Sequence, residues 1–323
     1  MAEKKDKLII ILGPTASGKT DLSLDIAQAL DGEIISGDSM QVYRGMDIGT
    51  AKLPLDQRRG IPHHLIDIID PDQPYSVADF QTMTQTLVRE IHARGRMPIV
   101  AGGTGLYIWS LIHPYLFGPQ EGAQDAFRAQ KRAELAQKGS QELYQELQTL
   151  DPAAAAKIHP NDSHRLVRAL EVYHSYGKRI SDIQAESQRL EPPPYDLLLI
   201  GLHMERQCLY QRINQRAEQM VQTGLVEEVR GLLENGYSRA LPSMQGLGYR
   251  QMAAYLAGEW TLPQALERLQ TDTRRFAKRQ ITWFKREPRI QWFLREDYPG
   301  QGALTSAVLS RVEQAFGKGQ IRS

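Results

Sequence analysis

At 323 residues the chain has room for one large or two medium domains, which excludes a disulfide-stapled miniprotein. Hydrophobic residues at 41% and charged residues at 24% are ordinary globular values, so wholesale disorder and fibrous repeats are excluded too. Its 39 Lys and Arg against 38 Asp and Glu leave a net charge of +1, so any polyanion site has to come from local clustering.

The N-terminal tail, Met1 to Lys7, is of mixed charge and carries no cleavage site. Leu8 to Leu12 is far shorter than the ~20 residues that cross a bilayer, so a soluble, cytoplasmic protein without membrane contact is expected. That aliphatic run followed by Gly13-Pro14 predicts a buried strand ending in a turn, and Leu22, Ile26, Ala29 and Leu30 mark a helix over Thr20 to Leu30. Glu33 to Ser36 is a second short strand. His63-His64 reads as a loop pair. Val77 to Ala93 is helical and stops at Gly95, and Pro98 to Ala101 is a third strand running into Gly102-Gly103. Strand alternating with helix predicts a parallel sheet.

After Leu116 the texture changes. Phe117 to Gln148 is rich in Gln, Ala, Glu and Lys, and Asp151 to Tyr176 is helical in pattern, with Leu166, Leu170 and Tyr173 as its core face. Residues 117–194 are therefore expected to form an all-helical insertion, with residues 1–116 before it. A Pro-rich hinge at Glu191 to Pro194 precedes another strand, Leu197 to Leu202, where residues 195–323 return to the sheet and continue mainly as helices. The lone cysteine, Cys208, excludes an internal disulfide and a Cys-rich zinc site, and suits a small buried apolar role. His159 and His164 lack a third ligand at metal spacing and fit capping or surface roles.

Gly13-Pro14-Thr15-Ala16-Ser17-Gly18-Lys19-Thr20 matches G-x-x-x-x-G-K-[ST] between a strand and a helix, which is the context a phosphate cradle requires. The predicted fold class is thus α/β, a P-loop NTPase-like parallel sheet flanked by helices with the helical insertion. Backbone N–H groups, the helix N-terminus and Lys19 would hold a di- or triphosphate, and the Thr20 hydroxyl would ligate Mg²⁺. The later strand ends in Gly102-Gly103-Thr104 and not in an acidic residue, which argues against a motor ATPase. A small kinase and an enzyme with a diphosphate leaving group remain. Asp38 follows the second strand, at the carboxyl edge beside the P-loop, where it would act as a base or hold Mg²⁺ through water. Arg212 and Arg216 share one helix face. Arg274, Arg275, Lys278, Arg279, Lys285, Arg286 and Arg289, interleaved with Phe276, Trp283 and Phe284, supply the basic and aromatic mixture that suits single-stranded RNA; a solvated helix with core-packed aromatics is the alternative.

These residues resemble the bacterial-type tRNA dimethylallyltransferase family. The likeness rests on Gly13 to Thr20, on Asp38 to Tyr43 with Asp47 to Lys52, on Tyr75 to Phe80 and on Gly102 to Tyr107. It continues through His159 to Asp162 with Arg165 and Arg168, Gly246 to Arg250, and Lys278 to Trp283, so it runs in order along almost the whole chain. Leu53 stands where the family often has Pro, and Pro114 to Phe127 matches poorly.

The resemblance implies transfer of a dimethylallyl group from dimethylallyl diphosphate to N6 of the adenosine at position 37, beside the anticodon, with Mg²⁺ as cofactor. Asp38, Thr104 and Lys19 are implied as catalytic residues, and Gly13 to Thr20 with Arg216 as the diphosphate site. Asp38, Ser39, Met40, Gln41, Thr104, Asp162, Arg165, Arg168, Gly246, Gly248, Tyr249, Arg250, Lys278 and Arg279 are implied as contacts to the tRNA anticodon stem-loop. Gln41 would read the adenine edge, because an amide side chain offers the donor and acceptor that adenine requires. A stacked base is reached by flipping it, so a channel open at both ends is expected. A monomer is expected, since one chain can hold an RNA arm of this size. The competing readings are a small-molecule P-loop kinase and a non-catalytic phosphate-binding RNA module.

Overall fold

The computed structural model describes residues 5–113, 123–187 and 195–317. The Pro-rich hinge, most of the poorly matching segment and the start of the N-terminal tail lie outside them. The chain divides into two compact units, Met1–Leu111 with Pro194–Ser323, and Ile112–Pro193.

The first unit is built on a parallel six-stranded sheet in the order β3-β2-β4-β1-β5-β6. β1 (Asp6–Leu12) is flanked by β4 (Met97–Gly102) and β5 (Tyr195–His203), while β2 (Gly32–Ser36) pairs with the far side of β4. The aliphatic runs are buried on both faces, which is why they read as continuous and not alternating. Two strands escape sequence reading because they are short edges. His63-His64 forms β3 beside β2, which corrects the expected loop pair, and Gln291–Leu294 forms β6 beside β5.

Helix α1 (Lys19–Leu30) packs Leu22 and Ile26 on Ile9, Ile11, Ile34 and Ile99. Alternate residues such as Ile10, Ile35 and Val100 face the other way, and α2 (Val77–Ala93) packs against β1, β2 and β4 there. A capping box of Ser76 and Asp79 starts α2 where the sequence has Ser-x-x-Asp before an apolar run. α3 (Gly105–Ile112) follows β4.

The second unit contains α4 (Ala123–Lys138), α5 (Ser140–Leu150), α6 (Pro152–Ala155), α7 (Ser163–Tyr176) and α8 (Ile180–Ser187). Its core gathers Leu143, Leu147, Leu166 and Leu170. Tyr173 is a correction, being 37% exposed: it keeps to the same face but sits in the last turn of α7, outside that cluster.

In the first unit α9 (Arg206–Gln222), α10 (Leu225–Glu234), α11 (Tyr249–Leu256) and α12 (Leu262–Phe284) surround a second core of Val42, Met46, Leu225, Val229, Met244, Tyr249 and Met252. α13 (Gln301–Phe316) lies beside α1, with Leu304, Val308 and Val312 in the sheet core. Cys208 packs half-buried against Met204, Leu209 and Ile213. Among the described residues no helix is long and apolar enough to cross a membrane.

Candidate active site

The carboxyl ends of β1, β2 and β4 deliver three loops to one cavity of about 330 Å³. The first loop is Gly13 to Gly18. Gly13 has φ +149°, and a Cβ there would come within 2.4 Å of the Leu202 carbonyl, so no other residue fits beside β5. Ala16 sits at φ +65°, a left-handed conformation that costs an alanine about 1 kcal/mol. Gly18 caps α1 without any side-chain hydrogen bond, which leaves the helix N-terminal amides open to an anion. Ser17 Oγ is buried and has no hydrogen-bond partner among the described residues.

Lys19 folds back so that Nζ donates to the Pro14 carbonyl at 2.7 Å. Burial, reinforced by Arg216 and opposed by Asp38, pushes its ammonium down to about 8. Arg216 is likewise lowered by burial, with Arg212 adding to the effect and Asp38 opposing it. No carboxylate among the described residues pairs with Arg216. Arg212 and Arg216 both line the cavity, as the one-turn spacing predicts. Cations gathered at one cavity with no carboxylate bonded to Arg216 among the described residues favour an anionic ligand.

The second loop carries Asp38. Burial raises its carboxyl, while the Met40 N–H at 2.9 Å and the charges of Lys19 and Arg216 pull it back. Gln41 also lines the cavity; its Oε1 accepts from Ser36 Oγ at 2.8 Å and its Nε2 donates to the Thr50 carbonyl at 3.3 Å. Among the described residues each end of the amide makes one such bond, which leaves one hydrogen-bonding site on each for a ligand. The third loop contributes Gly102 and Gly103 to the wall. Thr104 brackets Asp38: its N–H donates to the Gly37 carbonyl at 3.3 Å, and its Oγ1 accepts from the Ser39 N–H at 3.0 Å. Ser36, His63, Ile34, Leu53 and Ile66 extend the cavity with a mainly apolar wall.

A family profile described as IPP transferase matches residues 41–287. The chain belongs to the IPP transferase family. It is 51% identical over 310 residues, 96% of each chain, to a tRNA dimethylallyltransferase of Heliobacterium modesticaldum. It is 52% identical over 288 residues, 89% of this chain and 92% of the other, to one of Carboxydothermus hydrogenoformans. Among solved structures, a tRNA delta(2)-isopentenylpyrophosphate transferase from Staphylococcus epidermidis superposes with a TM-score of 0.71 at 41% identity, covering 96% of this chain and 100% of that one. A eukaryotic dimethylallyltransferase described as acting on tRNA gives 0.80 at 30% identity, covering 96% and 79%.

Other residues of the first unit marked by sequence do not line the cavity. Tyr249 is fully buried, with its hydroxyl donating to Glu228 Oε1 at 2.6 Å, so it packs behind the site and offers RNA no surface. This corrects its reading as a tRNA contact. Gly248 is buried at the start of α11, and Gly246 packs against Met40. Arg250 pairs with Asp272 at 2.7 Å, while Lys278 and Arg279 are exposed on α12. In the second unit Asp162 caps α7 by accepting the Arg165 N–H. Arg165 is exposed beside it, and Arg168 pairs with buried Glu171 at 2.8 Å. His159 Nδ1 accepts the Asn161 N–H.

Two residues escaped the sequence reading. Glu228 accepts the backbone N–H groups of Asp47, Ile48 and Gly49 at 2.7–3.1 Å. Gly49 is required there, because a Cβ would sit 2.5 Å from the Tyr249 ring. A glutamate on a helix 180 residues downstream of that loop gives no local signal. Gln280 is buried between the P-loop and Gly103, and its place inside a matched motif was the available clue.

Proposed function

We propose that the protein transfers the dimethylallyl group of dimethylallyl diphosphate to N6 of adenosine 37, beside the anticodon of tRNA, releasing diphosphate. The observation that carries this reading is the convergence of a raised carboxyl, Asp38, and two cations, Lys19 and Arg216, that form no ion pair among the described residues, in one cavity. An exocyclic amine is a weak nucleophile because its lone pair is delocalised, so a positioned base helps. Asp38 accepts the N6 proton as the new C–N bond forms, and the raised carboxyl makes it a stronger base than an ordinary carboxylate. Gln41 uses its remaining donor and acceptor on the adenine edge.

As the allylic C–O bond breaks, charge builds on the diphosphate oxygen. The N-terminal amides of α1, Lys19 and Arg216 belong to the same cavity and are the groups that would receive it. Thr20 lines the cavity, and its hydroxyl has no protein partner among the described residues, so with diphosphate oxygens and water it fits the oxygen-rich shell of Mg²⁺. When bound there, Mg²⁺ neutralises diphosphate charge. This reaction requires the adenosine and the dimethylallyl diphosphate to reach the cavity from opposite sides. Lys278 and Arg279 on α12, with Arg165 and Arg168, supply phosphate contacts to the anticodon stem-loop. The enzyme works as a monomer in the cytoplasm.

Incubating the protein with labelled dimethylallyl diphosphate, Mg²⁺ and tRNA, then digesting the tRNA to nucleosides, tests this. Label in N6-(dimethylallyl)adenosine is expected. Unlabelled tRNA, or phosphate passed from ATP to an acceptor, sinks the proposal.

A further inference from the structure

Gln280 is 6% exposed, and both ends of its amide are spent on the loops of the site. Its Oε1 accepts the Thr15 N–H of the P-loop at 2.8 Å, and its Nε2 donates to the Gly103 carbonyl at 2.8 Å. The amide orientation follows from its partners, because an N–H can only donate and a carbonyl can only accept. Gly103 precedes Thr104, the residue that brackets Asp38 through Gly37 and Ser39. One side chain therefore joins the leaving-group loop to the turn that holds the base loop.

The surroundings make this link stiff. Ala277, one turn earlier on α12, is fully buried among Met204, Leu209 and Ile213. Trp283, three residues later, lies against Gly105, where a Cβ would meet its ring at 2.8 Å. A Cβ at Gly103 would approach Gln280 Nε2 within 2.3 Å, so the turn is shaped around the amide. Asn is one methylene too short to span the gap, Glu at neutral pH has no donor for the Gly103 carbonyl, and Lys or Arg has no acceptor for Thr15.

We infer that Gln280 is a positioning residue that sets the separation between the diphosphate cradle and the Asp38 loop. This rests on the proposed prenyl transfer. Rate in such a displacement depends on holding the amine, the allylic carbon and the leaving oxygen in line, and small misplacements are costly. Each loop keeps its own internal bonds without Gln280, so each substrate still binds, and the loss falls on turnover.

The test compares wild type, Gln280→Met and Gln280→Glu, using labelled dimethylallyl diphosphate with an anticodon stem-loop RNA. It adds hydrogen exchange of peptides covering residues 13–20, 101–107 and α13. In Gln280→Met, kcat should fall about a hundredfold, with both KM values within about threefold of wild type. Gln280→Glu should fall at least as far at pH 8, because its carboxylate faces the Gly103 carbonyl. Exchange at 13–20 and 101–107 should quicken about tenfold in both variants, with α13 unchanged. A kcat within about threefold of wild type in Gln280→Met, a loss carried entirely by KM, or full activity in Gln280→Glu would overturn the inference. If wild type leaves the RNA unlabelled, the proposed function is what fails, and the exchange at residues 13–20 still decides whether Gln280 ties the loops.

Discussion

The N-terminal turn of α1 and residues 47–49 both offer backbone N–H groups to a negative charge, but they differ in where the charge comes from. At 47–49 it is the chain's own Glu228, which takes three consecutive amides and the Tyr249 hydroxyl. At 13–20 no side-chain carboxylate among the described residues fills the loop: Ser17 Oγ has no partner, Gly18 caps α1 without a side chain, and Lys19 turns back onto Pro14. The same electrostatic device thus serves structure in one loop and is held ready for a ligand in the other. Filling the first cradle internally also fixes Thr50, whose carbonyl holds the Gln41 amide beside the second.

The contrast can be broken first at the base. Asp38→Asn removes the proton acceptor but keeps the side-chain volume, so turnover should fall about a thousandfold while inorganic diphosphate binds nearly as before. Single-turnover kinetics and calorimetry check the two halves, and an unchanged rate would show that another group takes the proton. Lys19→Met empties the ligand cradle of its nearest cation and should lower kcat/KM about a hundredfold, with weaker diphosphate binding in the same titrations.

The pH profile sharpens the contrast without mutation. Lys19 is lowered to about 8, so its charge is intact below that pH and lost as pH rises through it. Because kcat/KM reports the free enzyme, it should decline above about pH 8, roughly tenfold per unit. On the acid side the raised Asp38 carboxyl brings the decline to a higher pH than an ordinary aspartate would. A flat profile from pH 7 to 10 would remove Lys19 from the cradle.

Glu228→Ala should behave differently from either P-loop change. It strands three amides and a buried hydroxyl, so stability should drop by about 2 kcal/mol in urea unfolding, with KM for tRNA rising more than KM for dimethylallyl diphosphate. An unaltered tRNA KM would uncouple the 47–49 loop from Gln41. The smallest effect is expected at exposed Arg212, where Arg212→Gln should change diphosphate affinity only about threefold and less at high salt.

Legibility followed the range of the interactions. The P-loop, the strand that delivers Asp38 and the amphipathic helices α1 and α2 are written in adjacent residues, so spacing alone located them. The edge strands β3 and β6 were invisible because two and four residues are too few for a pattern, and they become strands only when β2 and β5 offer an unpaired edge. Tyr249 looked like a contact because it lies in a matched motif, yet burial is a property of what packs around it, and α10 supplies that packing.

What the chain determined by itself was a phosphate cradle, a carboxylate one strand away and a family likeness along most of its length, since each depends on residue types at fixed local spacing. Tertiary structure decided which polar groups are spent and which stay free. Gln280 and Glu228 are committed to loops far away in sequence, while Arg216 is brought to the cavity without an ion pair among the described residues. The reason is physical: hydrogen-bond satisfaction and desolvation depend on neighbours in space, and for these residues the neighbours are supplied by other elements of the fold.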